Sequence, residues 1–209
     1  MTNEISFDTQ LFQVYKNSKD IAETVFTNAI NMLIVRKVVP KTQKQNITAL
    51  LDTINGNVLN LETNEKPYTI FYIPHEVKSI KKMPQLTEFI AKYKNNHIII
   101  IIKTITKKQM ERIQMLHNEC EVFEESKLML DLIKHEYIPK HIILTEQEKQ
   151  QFLIDYNLKE SQIPRLFNSD PVARYYNLPI GTVCKIIRPI ETSGTGVSYR
   201  IVVRGDFKI

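Results

Sequence analysis

Apolar residues recur at three- and four-residue steps through Leu11, Val14, Tyr15, Ile21, Ala22, Val25, Phe26 and Ala29, which predicts one amphipathic helix over about residues 7–31. Thr42 with Gln45 three positions on is a capping-box pattern and places a second helix over residues 43–54. Asn55-Gly56-Asn57 then turns the chain. Strands and helices alternate from there: a strand over residues 68–73, a helix over 84–93 with Leu86, Phe89, Ile90 and Tyr93 on one side, and an unbroken isoleucine run over 97–103. Such a run, bounded by polar residues, suits a strand buried on both faces. Thr106 with Gln109 predicts another capped helix carrying Met110, Ile113 and His117, followed by a short strand over 120–123 and a short helix over 126–134. The β-α-β-α-β order favours right-handed crossovers and a central, largely parallel sheet flanked by helices.

Near residues 134–139 the pattern changes. Thr145 and Glu148 form a capping box that opens a helix to about Tyr156. Pro164 keeps residues 162–165 out of any helix interior. Asp170-Pro171 starts a short helix, and Asn177 can close it in a left-handed conformation. Residues 182–190 alternate like a strand, Ser193-Gly194-Thr195-Gly196 reads as a turn, and residues 197–203 form a second strand. The chain therefore reads as an α/β domain over residues 1–134 and a small α+β domain over 135–209.

The second region carries seven motif pieces in order: His135-Glu136 with Ile138-Pro139-Lys140-His141, Leu144-Thr145 with Glu148-Lys149, Gln162-Ile163-Pro164-Arg165, Asp170-Pro171-Val172-Ala173, Gly181-Thr182-Val183 with Lys185-Ile186-Ile187-Arg188, Glu191-Thr192, and Ser198-Tyr199-Arg200-Ile201-Val202. Together they resemble the C-terminal domain of the fifth shared subunit of eukaryotic-type DNA-directed RNA polymerases, a family with archaeal members. The resemblance covers roughly the last third of the chain and is weak over residues 7–133. It implies a non-catalytic structural subunit of a multisubunit DNA-dependent RNA polymerase, whose C-terminal domain docks on the largest subunit. It implies a three-layer N-terminal domain, similar in fold to restriction endonucleases, that acts as a jaw on downstream duplex DNA.

Carried over by position, the docking role falls on Ile163, Pro164, Arg165, Arg188, Glu191, Thr192, Tyr199 and Arg200, and DNA contact on Thr104, Thr106, Lys107 and Lys108. The residues alone leave pairing of Arg188, Glu191 and Arg200 within the domain as an open alternative. The chain departs from the family pattern at Asn177, Pro179-Ile180, Ile190 and Thr195-Gly196. Those departures point to a partner surface that has diverged with it, as in a viral copy.

Composition changes this picture little. The formal charge of +5 permits a polyanionic partner without demanding one. Lys78, Lys81 and Lys82 precede Pro84, and Lys103, Lys107, Lys108 and Arg112 gather where the isoleucine strand meets its helix. Cys120 and Cys184 have no metal-ligand spacing, and the five histidines do not cluster, so no metal or cofactor is expected. The apolar run Ile98-Ile99-Ile100-Ile101-Ile102 is too short to span a bilayer, and no leader is read at the N-terminus. The expected setting is reducing and intracellular: the nucleus for a cellular protein, or a cytoplasmic replication site or virion for a viral one. A nuclease site of this fold needs a carboxylate two residues before the strand lysine, and that position is Ile101. The rival readings are a stand-alone metal-dependent nuclease and a free DNA-binding protein.

Overall fold

The computed structural model describes residues 17–40, 57–63, 66–80, 83–117, 119–135, 137–190 and 194–205. The expected start of the first helix, the helix over 43–54, Lys81, Lys82, Glu191 and Thr192 lie outside these residues. The fold is mixed α/β and is built on two four-stranded mixed sheets.

The first sheet has the order β1-β2-β3-β4, with β1 Val58–Leu61, β2 Tyr68–Val77, β3 His97–Ile105 and β4 Cys120–Glu124. Strands β2, β3 and β4 are parallel, as expected for the centre of the sheet, and β1 joins antiparallel to β2 at one edge, which makes the sheet mixed. Isoleucines explain the centre. Ile98, Ile100 and Ile102 point to one face, under α2 (Pro84–Lys92) and α3 (Lys107–Leu116). Ile99 and Ile101 point to the other, under α1 (Ser18–Val35) and the single turn α4 (Glu125–Leu128). All five are fully buried, as a parallel strand covered on both faces requires.

Several elements differ from expectation. The first helix continues to Val35 rather than ending near Asn31, because Met32, Leu33 and Ile34 extend its buried stripe. Strand β2 runs past Pro74 to Val77. A register shift between Ile73 and Glu76 absorbs the proline there. The helix expected over 126–134 is broken into α4 and a 3-10 turn, Leu132–Lys134.

The second sheet has the order β5-β7-β8-β6, with β5 Lys140–Ile143, β6 Arg165–Phe167, β7 Val183–Ile190 and β8 Gly194–Val203. Thr195 and Gly196, expected in a turn, lie in β8 opposite Pro189 and Arg188. Helix α5 (Glu146–Asp155) covers one face through Phe152, packed with Ile163, Val183 and Ile201. Helix α6 (Pro171–Tyr175) lies on the other through Ala173, packed with Leu166, Cys184 and Val202. Buried Lys149 pins the 3-10 turn Glu160–Gln162 to α5 through Glu160 at 2.6 Å.

The capping box at α5 forms as its spacing predicts. Thr145 N–H donates to Glu148 Oε2 at 2.7 Å, and Glu148 N–H donates back to Thr145 Oγ1 at 3.3 Å. Thr145→Ala is expected to cost about 1 kcal/mol of stability in a thermal or urea melt, the usual value of an N-cap hydroxyl. Asp170 caps α6 through Val172 N–H at 2.8 Å, and Asn177 takes the left-handed conformation with φ +49°. Both cysteines are buried, and that burial pushes the Cys120 thiol up to about 12 and the Cys184 thiol up to about 11. Among the described residues no helix is long and apolar enough to cross a membrane.

Candidate subunit and nucleic-acid interfaces

The residues expected to meet DNA come together at one end of β3. Lys103 and Thr104 are exposed near its end, and Thr106, Lys107 and Lys108 follow at the exposed start of α3. The capping box expected from Thr106 and Gln109 does not form. Thr106 has extended backbone but makes no side-chain cap bond, and Gln109 Oε1 is buried without a partner. The Thr106 carbonyl does accept from Gln109 and Met110 N–H groups, which starts the helix. The first turn of α3 holds no acid, and its two lysines stand at the positive end of the helix dipole, where an anion is the favoured neighbour.

The expected docking residues divide. Pro164 and Arg165 are exposed where β6 begins, and Arg188, Tyr199 and Arg200 stand on β7 and β8 beside them. Pro164, Arg188, Tyr199 and Arg200 line a groove of about 250 Å³ together with Ile190 and Val197. Ile163 is different: at 3% exposure its side chain belongs to the core beneath this surface, packed with Phe152, Val183 and Ile201. Tyr199 stacks on Phe152 with ring centroids 4.2 Å apart, and Tyr156 closes the cluster at 5.0 Å from Phe152. Arg200 Nη1 donates to the Arg165 carbonyl at 3.3 Å.

Sequence reasoning missed a buried polar cluster that joins the two sheets. Arg36, just past α1, donates through Nη1 and Nη2 to both carboxylate oxygens of Glu121 on β4, at 2.6 and 2.8 Å. It also donates to the carbonyls of Tyr175 and Arg174, at 2.7 and 2.9 Å. His97 Nε2 lies 2.7 Å from Glu121 Oε1 and its ring stacks on Tyr68. Arg174 in turn donates to the Val122 carbonyl at the open edge of β4, and its guanidinium sits over the Phe123 ring. Burial opposes the charge on Glu121, but the hydrogen bonds from His97 and Arg36, with the Arg36 charge, outweigh it and hold the carboxyl below the usual carboxylate range. The Arg36 partners Glu121, Arg174 and Tyr175 lie 85 or more positions away and the Arg174–Val122 pair 52 apart, so no local spacing announces them.

Among the described residues no three His, Cys, Asp or Glu side chains converge as metal ligands would. The surface around β6, β7 and β8 is matched instead by a family description. Residues 130–202 fit the family "RNA polymerase Rpb5, C-terminal domain".

This stretch belongs to the Rpb5 C-terminal domain family.

Relatives agree with that placement. The chain is 42% identical to "DNA-directed RNA polymerases I, II, and III subunit rpabc1" of Dictyostelium discoideum, over 52% of this chain and 57% of that one. It is 37% identical to the RPABC1 subunit of Caenorhabditis briggsae, over 63% of this chain and 64% of that one. These matches span about three fifths of the relatives' length. A third relative, "DNA-directed RNA polymerase subunit 5" of Acanthamoeba polyphaga mimivirus, is 28% identical over 92% of this chain and 97% of its own.

Proposed function

We propose that this chain is a non-catalytic structural subunit of a multisubunit DNA-dependent RNA polymerase. Its C-terminal domain, residues 135–209, docks on the largest subunit, and its N-terminal domain, residues 1–134, contacts downstream duplex DNA. The observation that carries this reading is the match of residues 130–202 to the Rpb5 C-terminal domain, on which the groove between Arg188 and Arg200 is exposed. The near full-length match to the mimivirus subunit supports a divergent viral copy. Its setting is then the nucleus for a cellular polymerase, or the replication site or virion for a viral one.

Helices on both faces of the first sheet support the three-layer, endonuclease-like architecture for the N-terminal domain. Metal ions and nucleotide chemistry belong to other subunits on this reading. Exposed Lys103, Thr104, Thr106, Lys107 and Lys108 are suited to duplex phosphates. Contacts of that kind position DNA and do not read its sequence.

The test is co-elution of the tagged full chain with large polymerase subunits from its native source. Arg200→Glu is expected to release the chain from the complex while its thermal melt stays within about 0.5 kcal/mol of the parent, the range of a surface change. Elution of the parent chain alone, at monomer size, counts against the subunit reading.

A further inference from the structure

The second sheet ends on one side in a strand that is only partly covered. Strand β8 runs over ten residues, but β6 pairs only with Ile201, Val202 and Val203. Backbone groups alternate in direction along a strand, so the bonds at one end fix the rest. Val202 N–H donates to the Thr182 carbonyl, toward β7, and Ile201 N–H donates to the Pro164 carbonyl, toward β6. Even-numbered residues of β8 therefore bond β7. The odd-numbered Thr195, Val197 and Tyr199 turn their N–H and C=O groups to the opposite side, where no strand lies among the described residues.

Strand β7 meets the same problem on its own outer side beyond β5, and there the residue that would present a bare N–H is Pro189. Strand β8 has no such guard. Thr195-Gly196-Val197-Ser198-Tyr199 holds neither proline nor charge, and a bare edge of that kind is a template for another chain. The groove described above runs along this edge. On one face of the sheet Arg188 and Arg200 meet no carboxylate among the described residues, and Ser198 Oγ is buried there without a hydrogen-bond partner. On the other face Val197 is 50% exposed beside the Tyr199 ring.

We propose that this edge takes up an extended segment of the partner polypeptide as an added strand, in line with β6. Side chains of that segment alternate between carboxylates facing Arg188 and Arg200 and apolar groups lying against Val197 and Tyr199. Main-chain bonds supply affinity, and the alternation supplies register and charge complementarity. The inference rests on the docking reading above and adds its mode.

Residue-resolved hydrogen exchange on the full chain, free and polymerase-bound, tests it. In the free chain the amides of Gly196, Ser198 and Arg200 exchange slowly, while those of Thr195, Val197 and Tyr199 exchange fast. In the complex these three slow by on the order of 100-fold. Val197→Pro removes one edge N–H and leaves the ladder to β7 intact, so it speeds dissociation from the complex about tenfold, the loss of one hydrogen bond. Val197→Thr keeps the N–H and restores retention. A chain that stays bound while the odd-numbered amides still exchange fast overturns the added strand and leaves docking standing. A chain that never co-elutes with polymerase removes the docking reading and this proposal together. Protection of the same amides in the free chain, rising with concentration alongside a dimer mass, assigns the edge to a second copy and overturns the proposal.

Discussion

Replacing Glu121 with alanine is expected to cost about 3–5 kcal/mol of stability, because it strands the Arg36 guanidinium, only 5% exposed, without its carboxylate. That is a large share of the roughly 5–15 kcal/mol typical of a folded domain. Glu121→Gln keeps the shape and loses the charge, and gives a smaller loss with a distinct acid signature. The carboxyl of Glu121 is held below its usual range, against the opposing effect of burial, by His97 and Arg36. A carboxylate of this kind contributes stability that is complete above the unfolded-chain value of about 4.3 and lost as pH falls through its lower folded value. The parent therefore loses this contribution on acidification below about pH 4, whereas the amide of the glutamine variant has no proton to take up there. Thermal melts across the acidic range check it: the Tm of the glutamine variant starts lower and falls less steeply. Parallel slopes for the two proteins would show that Glu121 is not the titrating group.

The second large effect concerns the start of α3. Lys107→Glu with Lys108→Glu is expected to weaken the hold of the assembled polymerase on downstream duplex and to flatten its dependence on salt. Each phosphate contact contributes about 0.9 to the slope of log affinity against log salt, so the slope falls by about 1.8 when both contacts go. Binding of a fluorescent duplex across a salt series measures it. An unchanged slope removes this surface from the DNA path. Both side chains are exposed at the first turn of α3, so the double variant is not expected to unfold the chain.

The parts of this molecule that were legible in the sequence are those with a strong local signal. Five isoleucines between polar flanks announce β3, the Thr145-Glu148 pair announces α5, and Asp170-Pro171 announces α6. The short strands β1, β5 and β6, of three or four residues, carry no periodicity long enough to detect and owe their state to their neighbours. Thr195-Gly196 looks like a turn in isolation and is strand because β7 lies opposite it; Ile190 Cδ1 sits where a Cβ on Gly196 would stand. Thr106-Gln109 shows the converse, a capping pattern that the structure does not use. Among the expected docking residues, the extended Pro164 context was visible, while the inward direction of Ile163 depended on where α5 packs. The Arg36–Glu121 pair could not be read at all, since a buried ion pair across 85 positions has no local trace.

Arg174 holds a carbonyl of one sheet while its own carbonyl is held by Arg36 from the helix beneath it. The seam between the two sheets is thus stitched from both sides, with Tyr175 seated in the core of the first. Each of these bonds must break before the two sheets can turn against one another. If the start of α3 meets duplex DNA as proposed, a load applied there reaches the second sheet through these bonds.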